Sequence, residues 1–175
     1  MSGLEAEAHL SSGVWRFRSS VDVFYNSFKN KIVSAPTEDP YLWMMYNLGE
    51  AEVYGVDSML SLRYESSVSA GVRAGYAWQG GTAIPYQARG SADVTADVKY
   101  QGWSAAVRWC RRGTRQDSYG EEMRPYSLLD MTFGKTWKRI SAELSARNLL
   151  DRGYEIIKGY PMPGINFIAG IQCGF

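Results

Sequence analysis

Apolar and polar residues alternate along most of the chain. Over residues 91–100, Ala92, Val94, Ala96, Val98 and Tyr100 share one face, and Ser91, Asp93, Thr95, Asp97 and Lys99 share the other. A period of two puts successive side chains on opposite sides of an extended strand. The same alternation recurs over 15–25, 54–62, 68–76, 103–109, 140–146 and 165–173. Few windows carry apolar residues at helical spacing, and the abundance of Val, Tyr, Thr and Trp favours strands. The pattern predicts about nine strands, roughly at 3–10, 13–33, 41–64, 66–79, 88–100, 102–112, 125–137, 139–148 and 165–175.

The connections between these strands alternate in length. Short ones fall near Ser11-Ser12, Glu65-Ser66, Gln101 and Lys138, and long ones at 34–40, 80–87, 113–124 and 149–164. Short turns at one end and long loops at the other are the pattern of bacterial outer-membrane barrels. The polar face carries many charges, among them Arg16, Arg18, Asp22, Asp57, Arg63, Arg73, Asp93, Asp97, Lys99, Arg108, Glu143 and Arg147. The apolar face mixes Ala with aromatics and ends beside the short turns in Trp15, Tyr64, Tyr100, Trp103, Trp137 and Phe175. Such a row resembles the aromatic girdle of a membrane-spanning sheet, whose apolar side faces lipid and whose polar side lines the lumen. The fold expected is therefore all-β, an antiparallel meander of about nine long strands forming part of a transmembrane β-barrel, open or incomplete as a lone chain.

Composition sharpens this reading. The aromatic share is 14%, with 12 Tyr and 6 Trp, which suits strands and membrane interfaces. The formal charge of +1 gives no global field to attract nucleic acid, so no nucleic-acid partner is expected. No run of about 18 apolar residues predicts a transmembrane helix. The first residues lack the basic start and apolar core of a secretory leader, which an exported barrel requires. The alternation of turns also implies an odd strand number, whereas closed bacterial barrels have an even one. The expectation is a barrel portion cut on its N-terminal side. A small self-contained barrel with a structural or adhesive role, and a soluble barrel burying the apolar face around a ligand, are the alternatives.

Little in the sequence points to catalysis. There is one histidine, His9, and two cysteines, Cys110 and Cys173, with no metal or redox spacing. His9 shares a face with Glu5 and Glu7, which reads as a polar row, because a metal site needs three or four converging ligands. Asp130 and Glu143 could meet across neighbouring strands, but no nucleophile and base accompany them. The expectation is no enzyme activity, no cofactor and no metal. Charges such as Arg73, Arg108, Asp93 and Asp97 read first as cross-strand ion pairs.

The C-terminal stretch carries a family resemblance. The run Ser145-Ala146-Arg147-Asn148-Leu149-Leu150-Asp151-Arg152-Gly153-Tyr154-Glu155 resembles the penultimate strand and loop of TonB-dependent receptors, which carry an Asn-Leu-Phe-Asp element followed by Tyr. Gly159-Tyr160-Pro161-Met162-Pro163-Gly164 is similar to the turn before their last strand, and 167–175 to their closing strand. Upstream, Phe24-Tyr25-Asn26-Ser27-Phe28-Lys29-Asn30-Lys31-Ile32 and Asn47-Leu48-Gly49-Glu50-Ala51-Glu52-Val53-Tyr54-Gly55-Val56-Asp57 also resemble family segments, in order. Leu150, Asp57 and Ile165 depart from the family's usual Phe, Glu and Arg.

The resemblance implies a C-terminal portion of an outer-membrane barrel, spanning 1–175, with plug domain and N-terminal strands absent. It implies energy-coupled uptake of a scarce, bulky nutrient, such as an iron–siderophore complex, a cobalamin or a glycan. Alone, the chain would be inactive in coupled transport. Implied partners are outer-membrane lipid, the barrel-assembly machinery and, in the full-length protein, a plug and TonB. Gly170, Cys173 and Phe175 resemble the C-terminal assembly signal. Loops on a rigid scaffold often carry binding, so Trp78, Tyr86, Arg115, Tyr119, Glu121, Glu122, Tyr154 and Tyr160 are the candidate ligand contacts.

Overall fold

The computed structural model describes residues 2–37, 39, 42–47 and 49–174. Nine strands form one antiparallel sheet: β1 (Ser2–Ser12), β2 (Trp15–Lys29), β5 (Glu50–Glu65), β6 (Val68–Gly81), β7 (Gly90–Tyr100), β8 (Trp103–Arg112), β11 (Tyr126–Trp137), β12 (Ile140–Arg147) and β13 (Asn166–Cys173). They lie side by side in chain order. Two ribbons extend the loops: β3 (Ile32–Pro36) with β4 (Trp43–Asn47), and β9 (Arg115–Gln116) with β10 (Glu122–Met123). Among the described residues there is no helix, and β1 and β13 are unpaired edges. A closed barrel would pair them, so the self-contained even-stranded alternative is not the architecture observed.

Residues expected as single strands over 13–33 and 41–64 each divide in two. The break in the second falls at Gly49, whose φ of +67° needs a left-handed backbone that glycine adopts without penalty. Of the segment 34–40, expected as a plain loop, residues 34–36 instead belong to β3 and pair with β4. The expected loop 113–124 likewise contains the β9–β10 ribbon. The four short connections are two-residue turns, as expected. At one of them Gln101 (φ +46°) and Gly102 (φ +78°) are both left-handed, the twist-matched geometry of a tight hairpin.

Register brings the alternation of neighbouring strands onto common faces. Val23 pairs with Val56 and Leu4, Phe17 with Leu62, and Val72 with Ala96. One face is therefore apolar across all nine strands, and nothing among the described residues covers it. Leu4 is 81% exposed, Ile171 78%, Phe167 66% and Leu60 54%, which excludes a soluble core built on this face. Buried apolar side chains among the described residues come to only Ala51, Val53, Cys110 and Met123, near the loop end.

Aromatics bracket the apolar face. At the short turns Trp15 packs on Tyr64 with centroids 4.9 Å apart, and Trp103 on Phe133 at 5.4 Å. At the loop end Tyr54 packs on Trp78 at 6.0 Å. Tyr54 and Tyr64 are ten residues apart on β5, roughly 33 Å along a strand, or about 25 Å in height at a barrel-like tilt. That matches the apolar band of about 25 Å that a membrane sheet presents to lipid.

Candidate functional site

The opposite face is polar and internally paired. Asp93 accepts from Arg112 at 2.7 Å and from Arg108 at 3.1 Å, Asp97 from Arg63 at 3.2 Å, and Glu65 pairs with Arg16 at 3.0 Å. These are the cross-strand ion pairs expected of Asp93, Asp97 and Arg108; Arg73 joins none among the described residues. His9 contacts Glu7 at 3.2 Å, and its Nδ1 accepts from Arg18 Nε at 3.2 Å, so it belongs to a polar row. No cluster of metal-ligating side chains occurs among the described residues. Asp130 and Glu143 do not pair: Glu143 stands opposite Gly134, and Asp130 accepts the Asn148 backbone N–H at 2.9 Å.

Three long loops fold over the loop end of this polar face and lock to one another. The centre is Asn148, only 3% exposed. Its φ of +52° turns the chain sharply off β12, a conformation Asn tolerates better than most residues. Its side-chain Nδ2 donates to the carbonyls of Arg152 (2.9 Å) and Pro163 (3.2 Å), and its Oδ1 accepts the Arg152 N–H (3.0 Å). Asp151 then accepts the Ile165 N–H at 3.0 Å, and Gly164 leaves room, since a Cβ there would lie 2.5 Å from the Asp151 carboxylate. The Asn-Leu-Leu-Asp run thus pins both ends of the last long loop to the strand that launches it.

Arg115 fastens the next loop. It is buried, donates to the carbonyls of Arg124 (3.3 Å) and Glu155, and lies 4.8 Å from the Tyr126 ring. Tyr126 in turn packs on Tyr154 at 4.6 Å. Burial, and then the nearby Tyr126 and Asp130, push the Tyr154 phenol above its ordinary range. Asp117, 2% exposed, accepts the N–H groups of Tyr119 (2.9 Å) and Glu121 (2.8 Å) and pairs with Lys158 at 3.0 Å. Burial alone would raise its carboxyl pKa, but Lys158 and the two N–H donors outweigh it and hold the group below the usual carboxylate range. Lys158 also pairs with Glu121, and both carboxylates raise its ammonium pKa. Tyr86 closes the cluster: its N–H donates to the Gln116 carbonyl at 2.7 Å, and its hydroxyl meets Ser118 at 3.4 Å.

Beneath these loops lies an open cavity of about 440 Å³, whose wall includes Asp57, Gln79, Tyr86, Arg89, Arg112 and Arg115. A mixed aromatic, amide and guanidinium wall suits a polar, hydrogen-bonding ligand with anionic groups. Tyr86, Arg115 and Trp78 therefore come together at one site. Trp78, however, is a β6 residue whose ring stacks on Tyr54 at the apolar face. Tyr119, Glu121 and Glu122 sit on or beside the β9–β10 ribbon away from this wall, Tyr154 lies against Tyr126, and Tyr160 follows the turn closed by the Tyr160 N–H on the Ile157 carbonyl. Gln79, Arg89 and Arg112 were not singled out from the sequence, because nothing in the strand pattern reveals which strand ends the loops will cover. Of the expected assembly residues, Gly170 and Cys173 lie on β13, opposite Glu143 and Ile140, and Phe175 lies outside the described residues.

Comparison with known proteins agrees with this architecture. No curated protein sequence matches the chain. Among solved structures, the copper transporter OprC superposes with a TM-score of 0.70 at 15% identity, covering 99% of this chain and 31% of that one. The siderophore receptor PirA from Acinetobacter baumannii gives 0.68 at 14% identity, over 99% of this chain and 32% of that one. The FrpB iron transporter from Neisseria meningitidis (F3-3 variant) gives 0.63 at 12%, over 98% and 30%. The chain thus spans about a third of the length of these structures, and at such identities the likeness is one of fold. The family model for TonB dependent receptor-like β-barrels matches residues 5–149, and the chain belongs to that family.

Proposed function

We propose that the nine strands form part of the wall of an outer-membrane transporter that takes up a metal chelate. The observation that carries the membrane reading is the uncovered apolar face, framed by two aromatic rows about 25 Å apart. In this reading further strands close the barrel, a plug fills it, and TonB supplies energy from the inner side. The chain alone would then be inactive in coupled transport. Gly170, Cys173 and Phe175 would serve the barrel-assembly machinery.

The interlocked loops are the proposed capture site, with Tyr86 and Arg115 on the cavity wall, Tyr119, Glu121, Glu122, Tyr154 and Tyr160 on the surrounding loops, and Trp78 at the margin where β6 meets the apolar face. An iron–siderophore complex is the favoured cargo: the cavity wall carries Arg89, whose guanidinium has no ion pair or hydrogen bond among the described residues, beside Arg112 and Arg115, which are held by Asp93 and by backbone carbonyls. A cobalamin is the second reading, carried over from the family resemblance of the ending over 154–164.

The membrane reading is tested by refolding the chain into vesicles with brominated acyl chains. Emission from Trp15, Trp103 and Trp137 is expected to be quenched. A water-soluble monomer with no lipid-dependent quenching would refute it. The cargo is tested by titrating a ferric catecholate, a ferric hydroxamate and cyanocobalamin. The ferric complexes are expected to bind and Tyr86→Ala to weaken them; tighter binding of cyanocobalamin would favour the second reading.

A further inference from the structure

Register places a row of side chains across the polar face that no linear pattern discloses. His9 pairs with Arg18, Arg18 with Ser61, Ser61 with Arg73, Arg73 with Thr95, Thr95 with Arg108, and Arg108 with Asp130. Three guanidiniums thus alternate with two hydroxyls across five adjacent strands. Each arginine is two strands from the next, about 10 Å at ordinary strand spacing. Like charges directly opposite would repel. Interposed hydroxyls avoid that and add donors of their own.

The nearby carboxylates are already engaged. Glu65 holds Arg16, Asp97 holds Arg63, Glu7 contacts His9, and Asp93 holds Arg108 and Arg112. Arg73, at the centre of the row, has no ion pair or hydrogen bond among the described residues, and Arg18 uses only its Nε, toward His9. Ser61 and Thr95 also have no side-chain hydrogen bond among the described residues. On its own strand Arg73 is flanked on the same face by Gly71 and Gly75, so no side chain screens it. An open cavity of about 460 Å³ is lined by His9, Arg18, Ser61, Arg63 and Arg73.

We propose that Arg18, Ser61, Arg73 and Thr95 form an oxyanion-binding belt on the polar wall, with Arg73 as its centre, for phosphate or carboxylate groups of a solute passing the wall. Guanidinium forks bind such groups bidentately, and arginine belts select anions in pores. The belt lies toward the short turns from the loop cavity, so it is a second station rather than an extension of the first. It rests on the reading of this sheet as a barrel wall.

The test uses the refolded chain in detergent micelles with inorganic pyrophosphate and tricarballylate as probes, followed by calorimetry. Saturable binding of at least one probe is expected, weakened about tenfold or more by Arg73→Gln and less by Arg73→Lys, which keeps the charge without the fork. Arg124→Gln, in an exposed loop, should bind as the parent does. Absence of saturable binding, or binding unchanged by Arg18→Gln and Arg73→Gln, would overturn the belt. Should the variants fail to fold, the parent chain still decides: pyrophosphate is expected to protect Arg18 and Arg73, but not Arg124, from phenylglyoxal, and equal labelling with and without it overturns the proposal. Lipid quenching of the tryptophans is independent of the belt, so loss of that signal marks failure of the wall reading instead.

Discussion

Replacing Asn148 by Ala should free the last long loop while leaving the sheet intact. The side chain makes three hydrogen bonds in a nearly dry setting, to the Arg152 N–H and to the carbonyls of Arg152 and Pro163. Each is worth about 1 kcal/mol net, and leaving its partner buried and unsatisfied adds to the loss. Alanine at φ +52° adds roughly 1 kcal/mol of backbone strain that Asn bears better. Relaxation of the loop toward water returns part of this, so about 3 kcal/mol is a reasonable local loss. That corresponds to roughly a hundredfold rise in the open population. Trypsin sites at Arg152 and Lys158 report it directly. Cleavage there in the lipid-refolded chain should accelerate about a hundredfold, with the strands still protected. Asn148→Gly, which tolerates the backbone but loses the same hydrogen bonds, should cleave nearly as fast. Rates within about threefold of the parent in both variants would refute the assignment of the loop's order to this side chain.

Other expectations follow from the same geometry. Asp117 has a lowered carboxyl pKa, so its contribution is complete above the unfolded value of about 3.9 and is lost as pH falls through the lower folded value; amide exchange at Tyr119 and Glu121 should stay slow from neutrality to about pH 5 and quicken only in stronger acid, and Asp117→Asn should abolish that transition. Leu60→Arg places a charge on the apolar face near mid-height and should cost about 2–4 kcal/mol in a bilayer by denaturant titration, whereas Met59→Arg, on the polar face, should be tolerated. Gly102→Ala would set a Cβ 2.4 Å from the Thr136 carbonyl in a left-handed turn, and should slow folding into vesicles and lower yield relative to Gly153→Ala, which has open space.

Strand number, the alternation of turns and loops, the two-faced pattern and the aromatic row at the short turns were legible because each depends on period-two spacing within one strand. The ion pairs of Asp93 and Asp97 were legible in kind though not in partner. What could not be read depends on register and on loop closure. Whether Arg18 meets Ser61 or Leu62 is decided by one residue at a turn, so the Arg18–Ser61–Arg73–Thr95 row stays hidden until strands are paired. The loop lock was hidden for another reason. Asn148 and Arg115 satisfy backbone carbonyls from distant segments, and a carbonyl leaves no trace in side-chain identity. Trp78 was grouped with the loop contacts although it falls inside the strand expected over 66–79; its place in the alternation, with Val72 and Tyr76, turns its ring to the apolar face against Tyr54.

The meander has one more consequence, concerning how pairing errors are corrected. Each strand of the sheet bonds only to its neighbour in the order, across a turn, a ribbon or a loop. A slip of one residue at any hairpin would preserve nearly all of its backbone hydrogen bonds while exchanging that strand's two faces. In water such a slip would cost little here, because neither face is buried in a core. In lipid it would carry Arg63 and Asp57 of β5, or Arg73 of β6, into hydrocarbon, at about 2–4 kcal/mol for each arginine near the midplane. The bilayer thus acts as the proofreader of this sheet: the surrounding solvent, more than contacts within the chain, distinguishes the native pairing from its nearest competitors.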